Sequence, residues 1–157
     1  MSSGNRQRVL VMSRSSEMRH ELVTLLSGYG YFVEESRNRV EGVRKFRAHK
    51  QPIVILDMPM LRLFPRRLIR FFQKVRKNTI VLVAAQKREE DQAYQYLRLG
   101  AYDLLNLPLK TDSLKLTLNR ALAYHQVMLD NVFAKSVIFF GMLLLPIWVA
   151  LAFVIWR

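Results

Sequence analysis

The sequence QPIVILDMPM, residues 51–60, contains a short run of large apolar side chains that ends at an aspartate. An apolar run of this length is typical of a β-strand that is buried on both faces of a sheet. We therefore predict a strand over residues 52–56, with Asp57 at its carboxyl end. In a parallel sheet covered by helices, ligands bind at the carboxyl ends of the strands, so Asp57 is a candidate site residue.

Four further apolar runs flank this one and alternate with segments of helical period. The additional predicted strands cover residues 8–12, 31–34, 79–83 and 102–107. The predicted helices cover residues 18–26, 39–49, 65–76 and 89–99, and a last helix begins at residue 112. Five strand–helix repeats predict the α/β class, with a five-stranded parallel sheet that is flanked by helices.

The composition excludes whole classes of protein. The chain has 157 residues and no cysteine, which excludes a disulfide framework, a thiolate metal site and a thiol nucleophile. Its length allows one ordinary domain and little more. The histidines, His20, His49 and His125, lack the spacing of metal ligands, so we predict no metal site and no cofactor.

Three stretches of the chain occur in an informative order. They are RVLVMSRSSEMR at residues 8–19, QPIVILDMPM at residues 51–60 and LRLGAYDLLNLPLKTDSL at residues 97–114. In this order and spacing, the sequence resembles the receiver domain of bacterial response regulators over residues 8–124. The resemblance implies a flavodoxin-like receiver fold and a role in signal transduction by phosphorelay. It also implies that the aspartate after the third strand is the phosphoacceptor.

The resemblance assigns roles to a few positions at the strand ends, and the sequence keeps the family residue at the phosphoacceptor position, Asp57. The other positions are occupied by Ser13 and Arg14 where the family has an acidic pair for Mg²⁺, by Ala84 where it has a hydroxyl, and by Leu107 and Pro108 where it has a lysine and a proline. The proline is thus kept, while the acids, the hydroxyl and the lysine are missing.

These losses affect the chemistry, because phosphoryl transfer concentrates negative charge that Mg²⁺ and a cation must offset. Asp57 alone offers Mg²⁺ too few oxygen ligands, and Arg14 would repel the metal. We therefore predict a pseudo-receiver, meaning a receiver scaffold without the reaction, and no enzymatic activity. The alternative is a response regulator in which Asp57 still accepts phosphate. If Asp57 is inactive, it either pairs with Arg14 or is held by backbone hydrogen bonds.

A basic surface is predicted between the third and fourth strands, where residues 58–88 contain nine cations and no acid. The surface is assigned to Arg62, Arg66, Arg70, Lys74 and Lys77. Three of these residues are spaced by four and share one helix face, where like charges repel and favour an external anion. Anionic lipid headgroups and an acidic protein are the candidate partners, and the alternative without a specific partner is a solvated face that biases the orientation of the domain at the membrane. A membrane-tethered nucleic-acid binder is a further alternative, disfavoured because no DNA-binding module accompanies the basic residues.

Residues 136–156, SVIFFGMLLLPIWVALAFVIW, form a 21-residue stretch without charge. A helix of this length spans about 30 Å, the thickness of the hydrocarbon core of a bilayer. We predict a single transmembrane helix here, with Gly141, Pro146 and Trp148 as candidate contacts with a partner helix. Residues 1–20 lack the apolar region of a signal peptide, which predicts a tail-anchored protein whose domain faces the cytoplasm.

The predicted parts of the chain are an N-terminal tail (1–7), a receiver-like domain (8–124), a juxtamembrane stalk (125–135) and the transmembrane helix (136–156). Because the resemblance is to a bacterial family, we predict an inner-membrane protein. Its predicted role is that of a protein–protein interaction module or an accessory or regulatory subunit of a membrane complex. Receivers commonly pair through the fourth helix, fifth strand and fifth helix, so the resemblance implies a candidate homodimer face with contacts from Tyr94, Tyr96 and Tyr102.

Overall fold

The computed structural model describes residues 7–109 and 112–123. Outside the described residues lie most of the N-terminal tail, the stalk 125–135, and the predicted transmembrane helix with Gly141, Pro146 and Trp148. Within the described residues, no helix is long and apolar enough to cross a membrane. The chain divides into two units, Met1–Ala121 and Leu122–Arg157, and the sheet belongs to the first.

The described strands form one parallel sheet in the order β2-β1-β3-β4-β5. They are β1 (Arg8–Met12), β2 (Phe32–Ser36), β3 (Ile53–Asp57), β4 (Ile80–Gln86) and β5 (Asp103–Leu107). The five predicted strands and the α/β fold class are thereby confirmed. The central strand β3 is buried along its whole length, because helices cover both faces of a parallel sheet.

Helices occupy the connections between the strands. They are α1 (Ser16–Gly28), α2 (Arg39–His49), α3 (Met58–Leu61), α4 (Pro65–Val75), α5 (Glu90–Arg98) and α6 (residues 112–123). The predicted helices are confirmed, with described ends that differ by at most two residues. The short helix α3 was not predicted. It begins directly after β3 because the side chain of Asp57 caps it.

The core on one face of the sheet is built around two phenylalanines. Phe46 of α2 and Phe72 of α4 are fully buried, and their ring centroids lie 4.7 Å apart in an edge-on contact. Leu68 and Ile69 are buried in the same cluster. Helix α4 therefore turns its apolar side toward the sheet and leaves its cations on the outer side.

Gly42 is the point where α2 approaches the sheet most closely. A Cβ atom at this position would contact the end of the Met12 side chain and would lie 2.6 Å from its sulfur atom. Met12 is fully buried in β1, so it has little room to move. We expect Gly42→Ala to lower the free energy of unfolding by about 1–2 kcal/mol, because overpacking outweighs the better helix propensity of alanine.

Gly28 provides the matched control, because a Cβ atom there would meet nothing within 4 Å at the end of α1. Gly28→Ala should leave the stability unchanged or raise it by about 0.5–1 kcal/mol. Pulse proteolysis of the full chain across a urea series measures both variants. If Gly42→Ala proved as stable as Gly28→Ala, the packing of α2 on Met12 would be looser than the structure describes.

Candidate functional site at the carboxyl end of the sheet

The parallel register brings four of the site positions together at one edge of the sheet. Asp57 closes β3 and pairs with Ala84 of β4. Ser13 follows β1 directly, and β1 lies beside β3. Leu107 ends β5, two residues beyond the position that pairs with Ala84. The sequence positions named by the resemblance are therefore neighbours in the fold.

The carboxylate of Asp57 is buried and hydrogen-bonded at both oxygens. The residue is 2% exposed. Its Oδ2 accepts a hydrogen bond from the Ser13 hydroxyl at 2.6 Å and another from the Arg14 backbone N–H at 2.8 Å. Its Oδ1 accepts from the backbone N–H of Met60 at 2.9 Å. Asp57 therefore joins the loop after β1 to the first turn of α3.

Arg14 contributes its backbone N–H to this network, and the residue is exposed. Both residues are described by the structure, and the exposed guanidinium of Arg14 forms no ion pair with Asp57. The alternative in which Arg14 pairs with Asp57 in place of a metal is therefore wrong. Asp57 is instead a hydrogen-bonded residue at the strand end, and Ser13 adds a hydroxyl donor to the two backbone donors.

A second set of contacts fixes the loop after β1. Ser15 caps α1 with its hydroxyl, and its own N–H donates to the Ser13 hydroxyl oxygen at 3.0 Å. The guanidinium of Arg19 donates to the carbonyl of Ser13 at 2.8 Å and to that of Arg14 at 3.2 Å. It also pairs with Glu35 at 3.3 Å. No role was predicted for Arg19. The only feature of the sequence that could have indicated one is its position one helical turn after the N-cap, Ser15.

The residues at this edge do not fit a Mg²⁺ ion, which needs several free oxygen ligands in near-octahedral geometry. The one carboxylate, Asp57, already accepts three hydrogen bonds, and its neighbours supply a hydroxyl and an arginine. Residues 7–109 and 112–123 contain no group of three His, Cys, Asp or Glu side chains that could hold a metal ion. These side chains therefore do not form a metal site, and no bound metal ion would offset the negative charge of an incoming phosphoryl group.

The two remaining positions present hydrocarbon to the edge of the sheet. Ala84 is buried and offers a methyl group, and Leu107 is half-buried. The peptide bond from Leu107 to Pro108 is cis, and Pro108 is exposed. Neither Ala84 nor Leu107 can donate a hydrogen bond from its side chain or carry a charge. The groups that would bind phosphoryl oxygens are thus missing from these two positions.

The side chains assigned to the basic surface are exposed around α4. They are Arg62, Arg66, Arg70, Lys74 and Lys77. Two large apolar side chains, which the sequence analysis did not single out, lie among them. Leu63 is 66% exposed and Phe64 is 63% exposed. The guanidinium carbon of Arg67 lies over the ring of Phe64, 5.1 Å from its centroid.

The tyrosines assigned to a pairing face differ in exposure. Tyr94 of α5 is exposed, and its hydroxyl donates to Glu90 at 3.1 Å, a hydrogen bond that raises the pKa of Tyr94. Tyr96 is buried, and the burial raises its pKa. The expectation that Tyr96 serves as a surface contact is therefore wrong. Tyr102 lies half-buried just before β5.

The chain is also similar in sequence to known proteins. The transcriptional regulatory protein ZraR of Klebsiella oxytoca is 29% identical over 140 residues, which is 89% of this chain and 32% of ZraR. Protein PilH of Pseudomonas aeruginosa is 27% identical over 119 residues, which is 74% of this chain and 98% of PilH. This chain thus spans about a third of ZraR and almost all of PilH.

Among solved structures, a response regulator receiver domain protein from Clostridium thermocellum superposes with a TM-score of 0.69 at 23% identity. The superposition covers 78% of this chain and 98% of that protein, and it shows that the two share a fold. The family described as the response regulator receiver domain matches residues 9–119. Because this match covers well over half of the sequence, the chain belongs to the response regulator receiver domain family of two-component signalling.

Proposed function

We propose that this protein is a non-catalytic pseudo-receiver at the bacterial inner membrane. In this role it acts as a protein–protein interaction module or as an accessory or regulatory subunit of a membrane complex. The observation that carries the proposal is the buried carboxylate of Asp57, whose two oxygens already accept three hydrogen bonds. A carboxylate that attacks phosphorus must present a free oxygen to the phosphodonor. The carboxylate of Asp57 instead joins the loop after β1 to the first turn of α3.

The electrostatics of the edge support the same proposal. Removal of one hydrogen-bond donor that stabilises a developing charge commonly costs about 3–4 kcal/mol of transition-state stabilisation. Here the metal ligands are replaced by Ser13 and Arg14, the hydroxyl by Ala84 and the lysine by Leu107. Phosphorylation of Asp57 would also disrupt the hydrogen bonds at the oxygen that reacts. The two effects act in the same direction, against transfer.

A phosphoaccepting response regulator is the second candidate function, and family membership is equally consistent with it. The observation that favours it is the presence of an aspartate at the end of β3, at the phosphoacceptor position of the family. The chain spans about a third of ZraR, so the role that ZraR has as a transcriptional regulator is not carried over. The accepting function and the pseudo-receiver function are separated by the phosphorylation experiment below.

The membrane part of the proposal rests on residues 136–156, which are uncharged and long enough to span a bilayer. We propose a single span with the receiver domain on the cytoplasmic side. The proposed partners are a membrane protein, which would pack against Gly141, Pro146 and Trp148, and anionic lipid headgroups, which would meet the basic surface. A homodimer through α5, β5 and α6 is the further proposed pairing.

Phosphorylation of Asp57 is tested by incubating the full chain with acetyl phosphate and Mg²⁺. We expect intact-mass spectrometry to find no species that carries a phosphoryl group, because the edge lacks a metal site and Leu107 stands where the family has its lysine. The variant Ser13→Asp/Arg14→Asp/Ala84→Thr/Leu107→Lys, which restores the family residues, is expected to gain the modification. Adding Asp57→Asn to that variant should abolish it again.

An authentic receiver domain treated in parallel provides the positive control for the phosphodonor. The proposal is contradicted if the unaltered chain gains a phosphoryl group that is lost in Asp57→Ala. That result would establish the second candidate function and would remove the hydrogen-bonded carboxylate as the basis of the first.

The structural role of Asp57 predicts a loss of stability when it is removed. Asp57→Ala leaves the Ser13 hydroxyl and two backbone N–H groups without their acceptor, so we expect the free energy of unfolding to fall by about 2–4 kcal/mol. Ser13→Ala removes the hydrogen bond to Asp57 and the one that the Ser13 hydroxyl accepts from the Ser15 N–H, so it should cost about 1–3 kcal/mol. Glu21→Ala, at an exposed position of α1, is the control and should change stability by less than about 0.5 kcal/mol. A cost for Asp57→Ala no larger than that of Glu21→Ala would mean that the carboxylate is not a structural joint.

The membrane proposal predicts how the chain partitions after cell lysis. The full chain should remain in the membrane pellet after an alkaline carbonate wash, since such a wash removes proteins held by charge alone. Leu144→Arg/Ile147→Arg keeps the length of the chain but adds about 2.5–3.5 kcal/mol per arginine to the cost of insertion, so this variant should appear in the supernatant. Recovery of the unaltered chain in the supernatant would contradict the membrane anchor.

A further inference from the structure

Two adjacent exposed apolar side chains lie at the turn between α3 and α4, which we term the 62–70 tip. It consists of Leu63 and Phe64 together with four arginines, Arg62, Arg66, Arg67 and Arg70. Leu63 and Phe64 are adjacent in sequence and expose 66% and 63% of their surfaces, although both are large hydrophobic residues. Neighbouring residues of α4, among them Leu68 and Phe72, are fully or nearly fully buried. The two exposed side chains therefore form a projection and are not part of the core.

The backbone holds this projection in place. Phe64 adopts a left-handed conformation with φ 51°, which is unfavourable for a residue with a side chain. The guanidinium of Arg39, from α2, donates a hydrogen bond to the carbonyl of Leu63. The turn is thus fixed from a second helix, and its two apolar side chains are presented outward by a defined backbone.

The charges around the projection have no partner of their own. No cation between residues 58 and 88 takes part in an ion pair among the described residues, since those pairs involve Glu34, Glu35 and Glu41. The same segment contains no acid. Arg67 stacks on the ring of Phe64, so a guanidinium and an aromatic ring are presented together. Aromatic rings and basic side chains at one depth are typical of surfaces that lie in the headgroup region of a membrane.

We infer that the 62–70 tip inserts Leu63 and Phe64 into the interface of a bilayer that contains anionic lipid, with the surrounding arginines bound to lipid phosphates. The inference rests on the proposed function, which places the chain at a membrane, and adds the surface that meets the lipid. One feature favours a bilayer over an acidic protein: two adjacent large apolar side chains, Leu63 and Phe64, are exposed beside the arginines, as in surfaces that enter the interfacial region of a bilayer. The guanidinium groups and the absence of acid suit any anionic partner, including lipid phosphate.

The absence of cysteine from the chain allows a direct test. Leu63→Cys is labelled with a polarity-sensitive dye, and the full chain is reconstituted into vesicles of phosphatidylcholine alone or of phosphatidylcholine and phosphatidylglycerol in equal amounts. Phe32→Cys provides the matched label, since Phe32 is exposed on β2 to a similar degree, 49%, and lies outside the proposed pairing face. We expect the label at position 63 to shift to shorter emission wavelength and to lose quenching by acrylamide in the anionic vesicles only. The label at position 32 should remain accessible in both.

A charge reversal tests the role of the arginines. Arg66→Glu/Arg70→Glu should abolish the shielding of the label at position 63. Arg98→Glu/Arg120→Glu, which makes the same change in net charge at exposed positions on α5 and α6, should leave it intact. Phe64→Cys serves as a second reporter and should respond as position 63 does. Equal loss of shielding in both double variants would overturn the assignment to the tip, because net charge alone would explain the binding.

Three further results would overturn the inference in different ways. If the chain floats with both kinds of vesicle but the label at position 63 stays accessible, the inserted tip is wrong and the proposed membrane anchor stands. If the chain floats with neither, the membrane anchor and the inference fail together. Shielding in native inner-membrane vesicles but not in vesicles made from their extracted lipids would identify a protein as the occupant and would also overturn the inference.

Discussion

A carboxylate in a protein interior must be hydrogen-bonded, because leaving water without compensation is costly for a charged group. At the end of β3 this requirement organises the surrounding chain. The three donors to Asp57 come from two separate segments, the loop after β1 and the first turn of α3. The loop after β1 is fixed in turn by Ser15 and Arg19. The geometry of this edge therefore follows from the need to satisfy a single buried acid.

Ser13 stands where the family has an acidic residue, and this replacement also removes a ligand that a metal ion would need. Two carboxylates side by side repel each other and raise each other's pKa, so an acidic edge depends on a cation to hold it. A serine hydroxyl next to Asp57 removes the repulsion and supplies a donor at 2.6 Å. The carboxylate is then stabilised by hydrogen bonds within the protein. The methyl group of Ala84 and the side chain of Leu107 add only hydrocarbon to this edge.

The sequence was sufficient for the elements whose apolar pattern is strong. The runs that became β1, β3 and β4 are short and uninterrupted, and burial on both faces explains why they are recognisable. It was not sufficient for α3, where a four-residue turn depends on a cap from Asp57 and has no period of its own. The strand-end positions were identified through the resemblance, but the hydrogen bond between Ser13 and Asp57 joins residues 44 positions apart. A contact of that kind depends on the register of β1 with β3, which a local pattern does not contain.

The distribution of charge links the altered edge to the surface of α4. The acids that the domain uses in ion pairs lie on β2 and α2, where Glu34, Glu35 and Glu41 neutralise nearby cations. On α4 the cations at four-residue spacing repel one another, and residues 58–88 contain no acid to offset them. The repulsion lowers the stability of the isolated domain, and a bound external anion can offset this loss. In the proposed function Asp57 does not react with phosphate, and the arginines and the exposed aromatic ring that follow α3 in the chain are suited to bind phosphate without reacting with it.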